Sequence, residues 1–213
     1  MRRTVLSIAI SAVLMLLITG LTAAEVPTRE YYDRLRNSLT LGLKGGFIGF
    51  TDTDEVDNTF DIGVAVGKSF IPNTRFELSV DYWSKSQDEG DEFFSTEWSY
   101  RDIALGFTAL YYPELVWRSC LFPEDGFIRP YLGAGGGIHL IKWEWKSAST
   151  YDTFFDENYS EGESDSEFGF HGVGGVEVDI NRQWSAGTEF RYTSVHDLDH
   201  WGVFARINYK FEF

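Results

Sequence analysis

Cysteine occurs once in the 213 residues, at Cys120, and proline five times. A single cysteine excludes an intrachain disulfide framework and any Cys-rich zinc site. Basic residues are scarce, 18 Lys and Arg against 33 Asp and Glu, for a net charge of −15. That shortage excludes nucleic acid as a partner, because phosphate binding needs a basic surface. Apolar runs are missing after the first two dozen residues and mean hydropathy is −0.21, which excludes a helical membrane bundle. Aromatic residues, by contrast, make up 17% and glycine contributes 21 residues. Such a chain is too aromatic to be disordered and long enough for one closed sheet or one sizeable core.

The opening segment reads as an address. Met1-Arg2-Arg3-Thr4 precedes a mostly apolar run from Val5 to Ile18, and Thr22-Ala23-Ala24 puts small residues where a signal peptidase cuts. Basic start, apolar centre and small-residue exit define a secretory signal peptide over residues 1–24. The apolar run is shorter than the roughly 20 residues a spanning helix needs.

Beyond the polar stretch at Tyr31–Arg36 the pattern has period two, the mark of strands. Eight segments emerge, carrying on one face Leu39, Leu41, Leu43 and Phe47; Phe60, Ile62, Val64 and Val66; Phe76, Leu78, Val80 and Tyr82; and Ile103, Leu105, Phe107, Ala109 and Tyr111. The remaining four carry Leu132, Ala134, Ile138 and Leu140; Phe168, Phe170, Val176 and Val178; Trp184, Ala186, Phe190 and Tyr192; and Val203, Ala205, Ile207, Tyr209 and Phe211. The opposite parity is polar or small. Connections alternate between long acidic stretches, such as Thr51–Asn58, and tight ones, such as Pro72-Asn73-Thr74 and Asn181-Arg182-Gln183. Aromatics gather at strand ends: Trp83, Trp98, Tyr100, Trp143, Trp145 and Trp201 at the long-loop side, and Tyr111, Tyr112, Tyr131, Trp184, Tyr209 and Phe211 at the other. Two interfacial girdles are the expectation. The last strand ends Tyr209-x-Phe211-x-Phe213.

That ending resembles the C-terminal assembly signal of bacterial outer-membrane barrels, and the whole chain after residue 24 resembles the small OmpA/OmpX-type, porin-like barrels. The resemblance implies an all-β, eight-stranded antiparallel up-and-down transmembrane β-barrel in a Gram-negative outer membrane. It also implies contact with outer-membrane lipid and lipopolysaccharide, and with the barrel assembly machinery during biogenesis. Residues 25–36 then form an N-terminal periplasmic segment and 37–213 the barrel. The connection Pro113–Phe127, which holds Cys120, is longer than a periplasmic turn should be.

Charge on the lipid face near the midplane costs about 2–4 kcal/mol, so the mid-strand charges should point inward. Lys44, Glu77, Asp81, Glu177, Glu189, Arg191, Arg206 and Lys210 do so by parity, with Asp61 and Asp102. Both signs are present, and enclosed charges must pair. Eight strands leave room only for side chains, so a lumen plugged by salt bridges is expected, with a narrow channel for small or hydrophobic solutes as the alternative. Lys68, Arg101 and Lys142 fall on the outward parity near strand ends, where long side chains snorkel; a mid-strand Lys142 would need a bulge.

The glycine runs at 133–137 and 169–175 precede no helix start, so they are not phosphate loops. Ser194 and His196 share a parity beside Asp197, in the reverse order of the His-x-Ser of lipid A deacylases and without a visible Glu partner. A nucleophile needs an oriented base, so no enzyme activity, no catalytic residue, no cofactor and no transition-metal site are expected. Seventeen acids lie in four stretches free of Lys and Arg: 52–57, 88–92, 152–167 and 197–199. They predict an acidic crown at the cell surface that holds divalent cations weakly, with Asp52, Asp54, Asp156, Glu157, Asp197 and Asp199 as candidate ligands. The function expected is structural or surface-interactive.

Overall fold

In the computed structural model the described residues are 31, 33, 35–36, 38–51, 58–71, 73–90, 94–114, 116–118, 126–149, 159–196 and 198–212. The proposed signal peptide lies outside them, as do Cys120 and the acidic stretch at 52–57.

Strands β1 (Ser38–Phe50), β2 (Thr59–Ile71), β3 (Thr74–Gly90) and β4 (Phe94–Tyr111) come first, and β5 is the two-residue ribbon Trp117–Arg118. β6 (Phe127–Ser149), β7 (Tyr159–Asp179), β8 (Trp184–Ser194) and β9 (His200–Glu212) complete the sheet. Each long strand pairs antiparallel with its neighbours, β9 returns to β1, and β4 pairs with β6. The eight long strands therefore close on themselves, which leaves no open edge.

Burial is inverted relative to a soluble domain. Outward side chains such as Phe47 (67% exposed), Leu78 (65%) and Phe170 (65%) form an apolar belt, while Glu177, Glu189 and Asn208 are each 1% exposed inside. A continuous exposed apolar surface of that extent needs an apolar solvent.

The tight turns have local causes. Asn73 sits at φ 59°, a left-handed conformation that Asn tolerates, and its carbonyl accepts from the Tyr112 amide at 2.8 Å. Between β7 and β8, Asn181 Oδ1 accepts from the amides of Gln183 and Trp184, both at 2.8 Å, which closes the turn.

Four expectations change. First, β6 and β7 run to 23 and 21 residues, so the acidic stretch 152–167 is strand from Tyr159 onward. Of the predicted crown, Glu161, Glu163, Asp165 and Glu167 therefore stand on β7 and not on a loop. Second, the long connection after β4 does not displace a strand, because Trp117 and Arg118 pair with Ile128 and Phe127 at the base of β6. Third, Lys142 needs no bulge. Its strand pairs without register shift on both sides, and it meets Glu144 just above the apolar residues Ile138 and Leu140.

The fourth correction concerns the girdles. Trp83, Tyr112 and Tyr131 are 3%, 8% and 2% exposed and face the interior. Trp98 and Trp145 are cross-strand partners whose rings meet tilted, 5.9 Å apart, on the inward parity of β4 and β6, a parity shared by Tyr100 and Trp143. Position at a strand end does not choose the face; parity does, and these residues lie one step out of phase with their apolar neighbours. Tyr111, Trp184, Tyr209, Phe211 and Trp201 keep the outward parity, and Trp184 meets Tyr209 edge to face at 4.8 Å.

Candidate functional site

The interior side chains come from positions of one parity on all eight strands. Small residues open the space: an added Cβ at Gly63 would collide with Asp81, and one at Gly135 with the Phe107 carbonyl of the neighbouring strand.

At the end where β1 starts and β9 stops, four bases meet four acids. Arg129 Nη2 donates to Glu177 Oε1 at 2.8 Å and to Asp179 Oδ1 at 3.1 Å, and Lys210 also pairs with Asp179. Arg75 Nη1 reaches Glu177 Oε2 at 3.0 Å, and Arg206 Nη2 donates to Glu77 Oε1 at 2.8 Å. Arg206 Nη1 donates to Glu189 Oε2 at 2.6 Å, which carries the chain of pairs to mid-barrel. There Arg191 bridges Glu189 at 3.0 Å and Asp81 at 3.1 Å, and Lys44 meets Asp81 at 2.8 Å. Hydroxyls take up remaining lone pairs: Ser185 Oγ and Tyr112 Oη donate to Glu177, and Tyr131 Oη donates to Glu189. Charge-assisted bonds of this length are the strong ones.

The segment before β1 reaches into the same end. Tyr31 Oη donates to Asp179 Oδ2 at 2.5 Å, and its ring packs on Phe127 at 4.8 Å with the Arg129 guanidinium over it at 5.8 Å. Burial pushes the Tyr31 hydroxyl well above its ordinary pKa, so it stays a donor.

The other half of the lumen holds histidines. His139 Nδ1 lies 2.7 Å from Asp102 Oδ2, which also accepts from Trp83 Nε1 at 3.2 Å. His171 Nε2 is 2.7 Å from Thr108 Oγ1. His200 Nδ1 is 2.9 Å from the Leu198 carbonyl, which fixes the proton on that nitrogen because a carbonyl only accepts. Asp61, Asp102, His139, His171 and His200 line one small cavity of about 20 Å³, room for one water-sized occupant. Among the described residues no three His, Cys, Asp or Glu side chains form a metal-holding group.

All eight charges expected in the lumen (Lys44, Glu77, Asp81, Glu177, Glu189, Arg191, Arg206 and Lys210) are placed in one connected cluster, with Asp61 and Asp102 buried above it. Arg75, Arg129, Asp179 and the three interior histidines were not anticipated. Parity could have found them, since Arg75 stands two before Glu77, Arg129 has the parity opposite to Leu132 and Ala134, and Asp179 stands two after Glu177. Tyr31 has no periodic signal at all. Counting buried charges among the described residues gives six bases and seven acids.

At the opposite surface, Asp199 accepts from Tyr192 Oη at 3.0 Å and from the Val195 amide at 3.1 Å. A bond from the Ser194 hydroxyl, with those two, holds its carboxyl below the usual aspartate range. Asp52, Asp54, Asp156, Glu157 and Asp197 lie outside the described residues, as does Phe213.

A closed antiparallel barrel with an apolar exterior and a charged interior has known counterparts. The model of the outer membrane protein beta-barrel domain matches residues 11–211. The chain belongs to that family. Two solved structures share the fold. The outer membrane protein OprG from Pseudomonas aeruginosa matches with a TM-score of 0.51 at 13% identity, over 84% of this chain and 99% of that one. Neisserial surface protein A matches with a TM-score of 0.50 at 16% identity, over 81% and 97%. No curated protein matches the chain significantly. The protein is an outer-membrane barrel, with its apolar belt against outer-membrane lipid and lipopolysaccharide.

Proposed function

We propose that this barrel is a structural and surface-interactive protein whose lumen is closed by its own ion pairs. The observation that supports this most is the unbroken run of buried pairs from Lys210 through Glu177, Arg75, Glu77, Arg206, Glu189, Arg191 and Asp81 to Lys44. An ion crossing the lumen would have to break several of these contacts, each in a space that excludes water.

Residues 1–24 serve as the signal peptide, residues 25–36 lie in the periplasm, and the outward Tyr209, Phe211 and Phe213 address the chain to the barrel assembly machinery. The acidic stretches then stand at the cell surface, where they attract divalent cations and cationic partners. No catalytic role is assigned to this end of the barrel; the Ser194 hydroxyl serves the turn as a donor to Asp199.

Planar-bilayer recording tests the reading. The purified barrel is expected to give no reproducible conductance steps. Reproducible steps that Glu189→Gln or Arg191→Met alters would overturn it in favour of a narrow channel.

A further inference from the structure

The outer wall of the barrel carries two bases side by side. Arg101 on β4 and Lys142 on β6 are direct cross-strand partners, exposed on the outward parity. Like charges directly opposite one another on one face of a sheet repel. Lys142 pairs with Glu144, yet its side chain stays 49% exposed. Among the described residues no ion pair is made by Arg101.

The two bases stand at the edge of the apolar belt. One outward step toward mid-barrel the same strands carry Ile103 and Leu140, again partners, and on β7 Ser164 and Ser166 continue the two rows. These side chains line a depression of about 400 Å³ in which Asp165 is the single acid. The next outward pair, Leu105 and Ile138, belongs to a second depression of about 560 Å³, shared with Val64, Val80 and Phe107. Gly136, opposite Phe107, leaves it without a side chain there. The second depression thus continues the first along the seam between β4 and β6.

Its dimensions fit a lipid. Six residues of β6 separate Lys142 from Gly136, about 20 Å of strand. At a tilt of about 40° that spans about half of a hydrocarbon core roughly 30 Å thick, the depth of one leaflet. From β2 to β6 the lower depression crosses three strand spacings, about 14 Å, which admits several acyl chains side by side. Paired bases at the head of such a track select a phosphate.

We propose that the β4–β6 seam is a docking site for one lipopolysaccharide molecule, with a lipid A phosphate between Arg101 and Lys142 and acyl chains in the depression beneath. The phosphate relieves the repulsion between the two bases and competes with Glu144 for Lys142. The choice of lipopolysaccharide over a phospholipid rests on the width of the lower depression and on the orientation proposed above, which puts this end in the outer leaflet.

The test is native mass spectrometry of the detergent-purified barrel with lipid A, dephosphorylated lipid A or phosphatidylglycerol added. One lipid A is expected to stay bound, and the other two to bind at least tenfold more weakly. Arg101→Gln alters an exposed residue and leaves every buried ion pair intact; it should lower lipid A retention at least tenfold. Glu144→Gln releases Lys142 and should raise it. Equal retention of dephosphorylated lipid A, or retention that neither substitution moves, would overturn the site. Equal retention of phosphatidylglycerol would overturn the choice of lipopolysaccharide. Orientation is read separately: Glu163→Cys, at an exposed position of β7, should take up a membrane-impermeant maleimide on intact cells above the wild-type level. Absence of that label would overturn the orientation whatever the barrel binds in detergent. Both seam substitutions lie outside the lumen, so they leave the conductance test of the closed lumen untouched.

Discussion

Replacing Glu189 by Gln probes the lumen most directly. Glu189 is 1% exposed and accepts from Arg206 at 2.6 Å, Arg191 at 3.0 Å and Tyr131 at 3.2 Å. Glutamine keeps the shape but removes the charge, and its amide NH2 turns a donor toward a guanidinium that can only donate. Breaking one side of a buried pair costs about 3–5 kcal/mol because the partner charge stays enclosed. Here each arginine retains a second carboxylate: Glu77 for Arg206 and Asp81 for Arg191. The lower end, about 3 kcal/mol, is therefore expected, roughly a hundredfold change in the folded-to-unfolded ratio. With a urea slope of about 2 kcal/mol/M, the midpoint should fall by about 1.5 M. Reversible urea unfolding in detergent or lipid vesicles, followed by tryptophan emission and gel mobility, measures it. Adding Arg206→Met to Glu189→Gln should recover part of the loss, since a neutral pair leaves less charge stranded. A shift below about 0.3 M, near 0.6 kcal/mol at that slope, would refute the view that these pairs hold the lumen together.

Other changes should differ in sign or size. Asp61→Asn is expected to cost nothing or to stabilise, because Asp61 Oδ1 has no hydrogen-bond partner and Asp81 lies nearby; a loss comparable to that of Glu189→Gln in the same assay would contradict this. Gly135→Ala should cost about 1–3 kcal/mol or prevent folding, since its Cβ would meet the Phe107 carbonyl and lie 2.9 Å from Thr108 Cα, whereas Gly172→Ala, with open space around it, should be neutral; equal midpoints for the pair would be the adverse result. Tyr31→Phe removes a bond to a carboxylate worth about 1.5–3 kcal/mol, so limited proteolysis should cut the segment before β1 faster while the barrel survives. Asp199 carries a lowered pKa, so its bonds to the turn persist above the ordinary aspartate range and fail as pH falls through the depressed value. Amide exchange at Val195 should accelerate only at that acidic end, and an unchanged rate there would show that the carboxylate does not hold the turn.

The strand faces were legible because a barrel wall imposes one rule on every residue: lipid accepts only apolar side chains, and the interior accepts the rest. Leu41, Leu43 and Val64 announce their face, and so do Glu77 and Arg206 opposite. The aromatic residues were misplaced for the same reason in reverse. A tryptophan suits either an interface or a polar interior in which its N–H finds an acceptor, as Trp83 does with Asp102. Strand ends were hidden as well, because above the apolar belt both faces of β6 and β7 meet water and alternation fades; Glu163 and Asp165 are exposed next to Ser164 and Ser166. Tyr31 was beyond reach, since its partner Asp179 is 148 positions away.

The distribution of charge inside the barrel separates two environments. The half near the chain ends is paired four bases to four acids, and each carboxylate there has a cationic partner. The surplus acid falls in the other half, where Asp61 and Asp102 share space with neutral-capable imidazoles. Full pairing rigidifies an interior that water cannot reach; an unmatched acid is tolerable only where water, a proton or a cation can approach. The histidine cavity lies on the side of the acidic stretches, so its surplus charge faces the end from which cations would be drawn. The two ends of one lumen are therefore chemically unlike: an arginine-rich mouth whose charges are matched, and an end where buried acid is in excess.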